Sequence, residues 1–134
     1  MSQIDIAPTL LDACAMTPPS SFQGRSVMPL LKGETKDWQN EVFIQISESM
    51  TARALRMSEW TYVVVRPDGK SASSSPEYEE YQLYNLCDDP YQLVNLAGRT
   101  ETREISRVLR QRLLQRMLEA GEQSAEIKAR PLYP

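Results

Sequence analysis

Only two residues, Ser58-Glu59, separate the run Thr51–Met57 from the run Trp60-Thr61-Tyr62-Val63-Val64-Val65. Both runs have strand length and are rich in branched or aromatic residues. A two-residue connection leaves room only for a tight reversal, so an antiparallel hairpin is predicted here. Two more runs extend the pattern. Val42-Phe43-Ile44-Gln45-Ile46 precedes the hairpin. Glu80-Tyr81-Gln82-Leu83-Tyr84-Asn85-Leu86 follows it with alternating sides, after the turn residues Pro67-Asp68-Gly69-Lys70 and a polar, Ser-rich loop that reaches Pro76.

A helix is predicted to cover this sheet. It starts at Thr100 as N-cap, with Glu101 and Glu104 in its positive first turn, and stops at Gly121. Ile105, Leu109, Leu113 and Met117 recur every fourth residue, and Val108, Leu114 and Leu118 widen that ridge beyond a narrow stripe. Ahead of the strands, Pro8 to Cys14 reads as a short amphipathic helix with Ala7, Leu10, Leu11 and Cys14 on one face. Ser26 is placed to cap a turn from Val27 to Leu31, closed by Gly33. The predicted fold class is therefore α+β: a four-stranded antiparallel sheet packed by one long C-terminal helix, with an N-terminal helix-and-loop arm. The expected division is an arm over 1–40, a subdomain over 41–121 and a flexible tail over 122–134. A chain of 134 residues buries roughly two thirds of its unfolded surface, enough for one core.

Composition narrows the chemistry. The chain has no histidine, which excludes His-type zinc sites, Ser-His-Asp triads and Cys-His dyads built from this chain alone. A net charge of −3 and a pI of about 5.0 provide no general attraction for nucleic acid or anionic lipid. No apolar run approaches the roughly 18–20 residues of a bilayer span, so neither nucleic acid nor membrane is expected as a partner. Cys14 and Cys87 have no CxxC spacing and read as small packing residues.

Arginine supplies 11 of the 15 basic residues, and Arg103, Arg107, Arg110, Arg112 and Arg116 all lie on the last helix. Guanidinium forks suit phosphate or sulfate. Their spread over two sides of the helical wheel, with Glu101, Glu104 and Glu119 nearby, instead predicts a solvated, salt-bridged face. Arg53 and Arg56, three apart on a strand, are predicted to project to opposite faces, one of them toward a ligand pocket or into an ion pair. Asp88-Asp89 with Glu77, Glu79 and Glu80 lacks the twelve-residue register of a Ca²⁺ loop, and Asp88-Asp89-Pro90-Tyr91 reads as a turn whose carboxylates accept backbone N–H bonds. Trp60, Tyr62, Tyr78, Tyr81, Tyr84 and Tyr91 read as cross-strand packing partners. The residues themselves compose no self-sufficient catalytic site.

Three segments carry a resemblance. Asp5-Ile6-Ala7-Pro8-Thr9-Leu10-Leu11-Asp12 is one. Gln23-Gly24-Arg25-Ser26-Val27-Met28-Pro29-Leu30-Leu31-Lys32-Gly33-Glu34 is the second. The third is Tyr81-Gln82-Leu83-Tyr84-Asn85-Leu86 followed by Asp89-Pro90-Tyr91-Gln92-Leu93-Val94-Asn95-Leu96-Ala97. In this order, with Arg56 and Trp60-Thr61-Tyr62 between them, they resemble the C-terminal region of the sulfatases, formylglycine-dependent sulfuric ester hydrolases of the alkaline phosphatase superfamily. The resemblance covers about residues 3 to 120. It implies a large catalytic domain with a formylglycine in a CxPSR-type motif and a divalent metal, Ca²⁺ or Mg²⁺, followed by a small sheet-and-helix subdomain. Cys14-Ala15-Met16-Thr17-Pro18 and Cys87-Asp88-Asp89-Pro90-Tyr91 do not match that motif, so no catalytic or metal residue is carried over and no cofactor is expected in this chain.

By the same resemblance, the chain is a C-terminal fragment of a sulfatase-like hydrolase, inactive alone, that braces the catalytic domain and contributes to the rim where substrate enters. Arg53, Arg56 and the loop Pro67 to Pro76 are the rim candidates. The expected partner is the missing catalytic domain, or a second copy of the chain through the exposed apolar faces. The alternatives are the tail of a related phosphonate or phosphodiester hydrolase, and a free-standing, non-enzymatic protein-interaction module.

Overall fold

The computed structural model describes residues 1–36 and 38–133. The chain divides into two compact units, Met1–Val42 and Phe43–Pro134. The strands are β1 (Glu41–Ile46), β2 (Ala52–Met57), β3 (Trp60–Val65), β4 (Glu77–Asn85) and β5 (Glu126–Lys128), joined in one sheet in that order.

The hairpin predicted from Ser58-Glu59 is present. β2 and β3 pair antiparallel with Leu55 opposite Tyr62 and Arg53 opposite Val64. β4 pairs antiparallel with β3, and its register shifts between Val63 and Val64, so that Gln82 faces Val63 while Glu80 faces Val64. Tyr81 is thus a bulge residue, the extra one on its strand. The helix α1 of the first unit spans Ile6–Ala13, the single turn α2 spans Met28–Leu31, and α3 spans Arg103–Glu119 behind a 3₁₀ turn at Thr100–Thr102.

The sheet is five-stranded and mixed, which corrects the expected four antiparallel strands. The stretch read as a flexible tail supplies β5, whose Ile127 lies opposite Tyr78 in a parallel pair. The chain runs along β4, returns through α3 and must then run with β4 again, a crossover that allows only parallel pairing. Three residues with one buried side chain, Ile127, are too short for alternation to register in a sequence.

One sheet face and α3 enclose the core of this unit. Leu55, Tyr62, Val64, Tyr78 and Leu83 meet Leu109, Leu113 and Met117 there, with Ile105 and Leu114 packed at the edge. The predicted i+4 ridge is therefore the buried one. Val108 and Leu118 remain exposed, at 46% and 55%. Cys14 and Cys87 are exposed free thiols, not packing residues: Cys14 shares its face of α1 with Ala7 and Leu10, which are exposed as well, and Cys87 lies beyond the end of β4.

In the first unit, Asp5 organises the fold. Its buried carboxylate accepts the N–H groups of Ser2 (2.6 Å) and Arg25 (3.0 Å), and its carbonyl accepts the Thr9 hydroxyl (2.5 Å). Thr9 in turn accepts the Val27 N–H at 3.0 Å, and Ser26 bonds Asp12. The helix α1 and the Gly24-Arg25-Ser26 turn are zipped together by these bonds. Ser26 also accepts the Met28 N–H at 3.1 Å, but α2 begins one residue later than expected, so that Val27 and not Ser26 stands at its N-cap. A Cβ on Gly24 would stand 2.0 Å from the Ile4 carbonyl oxygen. Gly24→Ala is therefore expected to cost more than the ~1–3 kcal/mol of ordinary overpacking, since the obstacle is backbone. Amide hydrogen exchange at Arg25 and Val27 checks it: both should lose protection, whereas protection in β3 should not change.

Candidate functional site

Arg53 projects from β2 to the α3 side of the sheet, where its side chain is fully buried. Its Nε donates to Glu122 Oε1 at 2.5 Å. Nη1 donates to the carbonyls of Ala52 (2.8 Å) and Ile46 (3.1 Å), and Nη2 to the carbonyl of Ser73 (2.6 Å). The Tyr78 ring lies 5.9 Å from the guanidinium carbon. One buried cation thereby joins the end of β1, the Ser-rich loop and the segment after α3. Glu122 also accepts Gln45 Nε2.

Arg56 lies on the other face of β2, as the three-residue spacing predicts, and is exposed. Its Nη1 donates to Thr61 Oγ1 at 2.9 Å. The structure thus does not bring the two arginines into one clamp. The loop beside them is pinned by Thr51, which is fully buried. The Thr51 hydroxyl donates toward the carbonyls of Lys70 (3.0 Å) and Ala72 (3.1 Å) and accepts the Ala72 N–H at 2.7 Å. Ser75 closes the loop, donating its N–H to the Tyr78 hydroxyl at 3.0 Å and its own hydroxyl to the Glu77 carbonyl at 2.7 Å.

A second polar centre lies across the sheet on β4, where Glu80 stands in the same row as Arg53, and it joins residues that the sequence pattern places in separate groups. Glu80 is buried to 6% exposure. Its Oε1 accepts the Tyr62 hydroxyl and Arg110 Nη2, both at 2.9 Å, and its Oε2 accepts the Arg130 N–H at 2.9 Å. Burial first, then the Glu80 charge beside it, raises the Tyr62 hydroxyl far above the ordinary tyrosine range. Glu80 also lines a cleft of about 240 Å³ walled by Arg99, Arg103, Arg107, Arg110 and Arg130. Elsewhere on α3 the predicted salt-bridged face is present: Glu104 binds Arg107 (2.5 Å), and Glu119 binds Arg116 and Arg112.

The third resembling segment has a structural task. Asn95 Oδ1 accepts the N–H groups of Leu83 and Ala97, both at 3.0 Å, and its Nδ2 donates to the Tyr81 carbonyl at 2.9 Å. Asp89 accepts the Val94 N–H at 2.8 Å, and bonds from the Leu93 and Val94 amides hold its carboxyl below the usual carboxylate range. This is the turn predicted at Asp88-Asp89-Pro90-Tyr91. Among the described residues no group of three or more His, Cys, Asp or Glu is arranged to hold a metal ion. Neither cysteine segment matches a formylglycine motif. The donor set of this chain therefore does not fit the metal or the modified residue of the sulfatases, and no helix among the described residues is long and apolar enough to cross a membrane.

Comparison with known proteins bears out the resemblance to the C-terminal region of the sulfatases. The family model described as N-sulphoglucosamine sulphohydrolase, C-terminal, matches residues 1–119. An N-acetylglucosamine-6-O-sulfatase of Bacteroides thetaiotaomicron is 28% identical over 101 residues, covering 73% of this chain and 18% of its own length. Human arylsulfatase K is 32% identical over 107 residues, 72% of this chain and 18% of the human protein. The chain thus spans about a fifth of the length of these relatives. A structure solved with its substrate D-glucosamine-2-N,6-O-disulfate superposes with a TM-score of 0.74 at 23% identity, covering 87% of this chain and 24% of that one. A second, from work on glycosaminoglycan metabolism by Bacteroides thetaiotaomicron, gives 0.67 at 21% identity, covering 88% of this chain and 26% of that one. At these identities the likeness is one of fold.

Proposed function

The chain belongs to the N-sulphoglucosamine sulphohydrolase C-terminal family, and from that premise we propose that it works as the small subdomain of a hydrolase acting on a sulfated amino sugar. The match over residues 1–119 carries this reading. One of the relatives is an N-acetylglucosamine-6-O-sulfatase, and one of the similar structures was solved with D-glucosamine-2-N,6-O-disulfate as its substrate. In this role a formylglycine and a Ca²⁺ or Mg²⁺ ion outside this chain cleave the sulfate ester, and this chain braces the catalytic domain. Ile4, Ile6 and Leu10, exposed at 57%, 46% and 62%, are suited to that docking, because burying apolar area of this kind drives association.

At the rim where substrate enters, Arg56 offers an exposed guanidinium to a sulfate or hydroxyl of the sugar. Arg53 acts through its neighbours: by holding Ser73 it fixes the loop from Pro67 to Pro76, the type of segment in which specificity resides.

The purified chain is expected to release no sulfate from 4-nitrophenyl sulfate or glucosamine 6-sulfate, with or without Ca²⁺ or Mg²⁺. Metal-dependent turnover that co-elutes with the chain on two successive columns would overturn the assignment of the chemistry to residues elsewhere. Reading the DNA upstream of codon 1 tests the parentage: an in-frame CxPSR or SxPSR motif is expected, and a promoter and stop codon there would favour a free-standing interaction module.

A further inference from the structure

We propose that the cleft at the start of α3 is an oxyanion site that takes the sulfate group of a sulfated sugar or a free sulfate ion. Five guanidiniums, those of Arg99, Arg103, Arg107, Arg110 and Arg130, face two carboxylates, Glu80 and Glu104, around a space of about 240 Å³. Glu104 is engaged by Arg107, and Glu80 by Arg110 and Tyr62. Three positive charges are left over, those of Arg99, Arg103 and Arg130. An oxyanion entering the cleft would meet their guanidinium forks in charge-assisted hydrogen bonds.

The location adds a cost that an anion removes. Arg99, Arg103 and Arg107 stand at or before the first turns of a seventeen-residue helix, the positive end of its dipole, where cations are disfavoured and anions favoured. Ion pairs on the helix surface do not account for this placement, since Glu101 and Glu104 already suffice to charge that end correctly. A sulfate ester, with one negative charge, would lower the excess of three positive charges in the cleft to two, and a free sulfate ion would lower it to one. The volume suits a sulfate with its first sugar ring and excludes nothing smaller. The choice of sulfate rests on the proposed parentage, whereas the site rests on the geometry. The turnover assay tests the first and the titration below tests the second, so the two fail separately.

The test is a titration of the ¹⁵N-labelled chain with sodium sulfate and with glucosamine 6-sulfate, each against sodium chloride at matched ionic strength. Saturable shifts are expected at the Gly98, Arg99 and Ser106 amides. Apparent affinity should fall at least tenfold in Arg99→Gln and severalfold in Arg103→Gln, whose exposed side chain makes it a safe variant for folding. Circular dichroism and thermal midpoint confirm that each variant is folded. Equal affinity for the two ligands identifies the oxyanion alone as the recognised group, and tighter binding of the sugar adds contacts to the ring; both support the site. Shifts no larger than those of chloride, or binding unchanged in both folded variants, would overturn it.

Discussion

Arg53→Met is expected to lower the unfolding free energy by about 3–5 kcal/mol, the range for breaking a buried ion pair from one side. A domain of this size holds roughly 5–15 kcal/mol in total, so the variant should lose between about a fifth and all of its stability. The methylene stem of methionine replaces the packing of arginine, so the loss is polar in origin. The Glu122 carboxylate, 9% exposed, loses its 2.5 Å partner, and the carbonyls of Ile46, Ala52 and Ser73 lose donors. Urea denaturation of wild type, Arg53→Met, Glu122→Gln and the double variant separates the pair from its surroundings. The double variant should be more stable than Arg53→Met, because it removes the stranded charge. A change below about 1 kcal/mol in Arg53→Met would mean that water reaches the guanidinium and that its role is that of a surface residue.

Arg53 also shows where sequence reading stops. The strand and the opposite placement of Arg53 and Arg56 follow from a period of two, and both are found. Which arginine is buried does not follow, because the acceptors come from Glu122, Ser73 and Ile46, at separations the local pattern does not sense. The Ser-rich loop illustrates the same point. Its composition reads as mobile, yet Thr51 and Ser75 bind it through its backbone, and backbone acceptors carry no residue signature.

The helix α3 was legible because one stripe of four residues decides it. The fifth strand was not, because its pairing depends on where α3 returns the chain. The bulge was hidden for a further reason. Strict alternation in β4 puts Tyr81 on the side of Leu83 and Glu80 outside. The extra residue exchanges them, leaving Tyr81 45% and Glu80 6% exposed. Glu80 therefore reads as the outward first residue of a strand, and neither its burial nor the cleft that it lines follows from the pattern. The family segments, by contrast, were legible as a set, and the structure gives each a mechanical reason. Asp5, Gly24 and Asn95 are positions where a carboxylate, a missing Cβ or an amide closes one chain segment onto another.

Glu80→Ala should be the second severe substitution, at about 1–3 kcal/mol for each buried donor that loses its acceptor, because it leaves the Tyr62 hydroxyl and the Arg130 N–H unsatisfied and removes the carboxylate beside the partly exposed Arg110. Tyr62 and Arg110 would lose a shared acceptor and the Arg130 N–H its only carboxylate partner among the described residues. These four groups come from β3, β4, α3 and the segment after β5, so the loss should release the C-terminal segment before the hairpin. Glu80→Gln keeps the shape and an acceptor for Tyr62, and should recover about half of the loss.

Tyrosine ionisation provides the second readout. The Tyr62 hydroxyl is raised by burial and by Glu80, so the folded state holds its proton where the unfolded state, near pH 10, releases it. The stability that this contributes is complete below pH 10 and is lost as pH rises from there toward the folded value. Absorbance at 295 nm should therefore show Tyr62 silent until the chain unfolds in alkali. In Glu80→Gln the carboxylate charge is gone but the burial persists, so Tyr62 should ionise earlier than in wild type yet still above the ordinary tyrosine range. If Tyr62 of the wild-type chain titrates within the ordinary tyrosine range, then the Glu80 centre is open to water, and neither the stability loss nor the buried wall of the arginine cleft would hold.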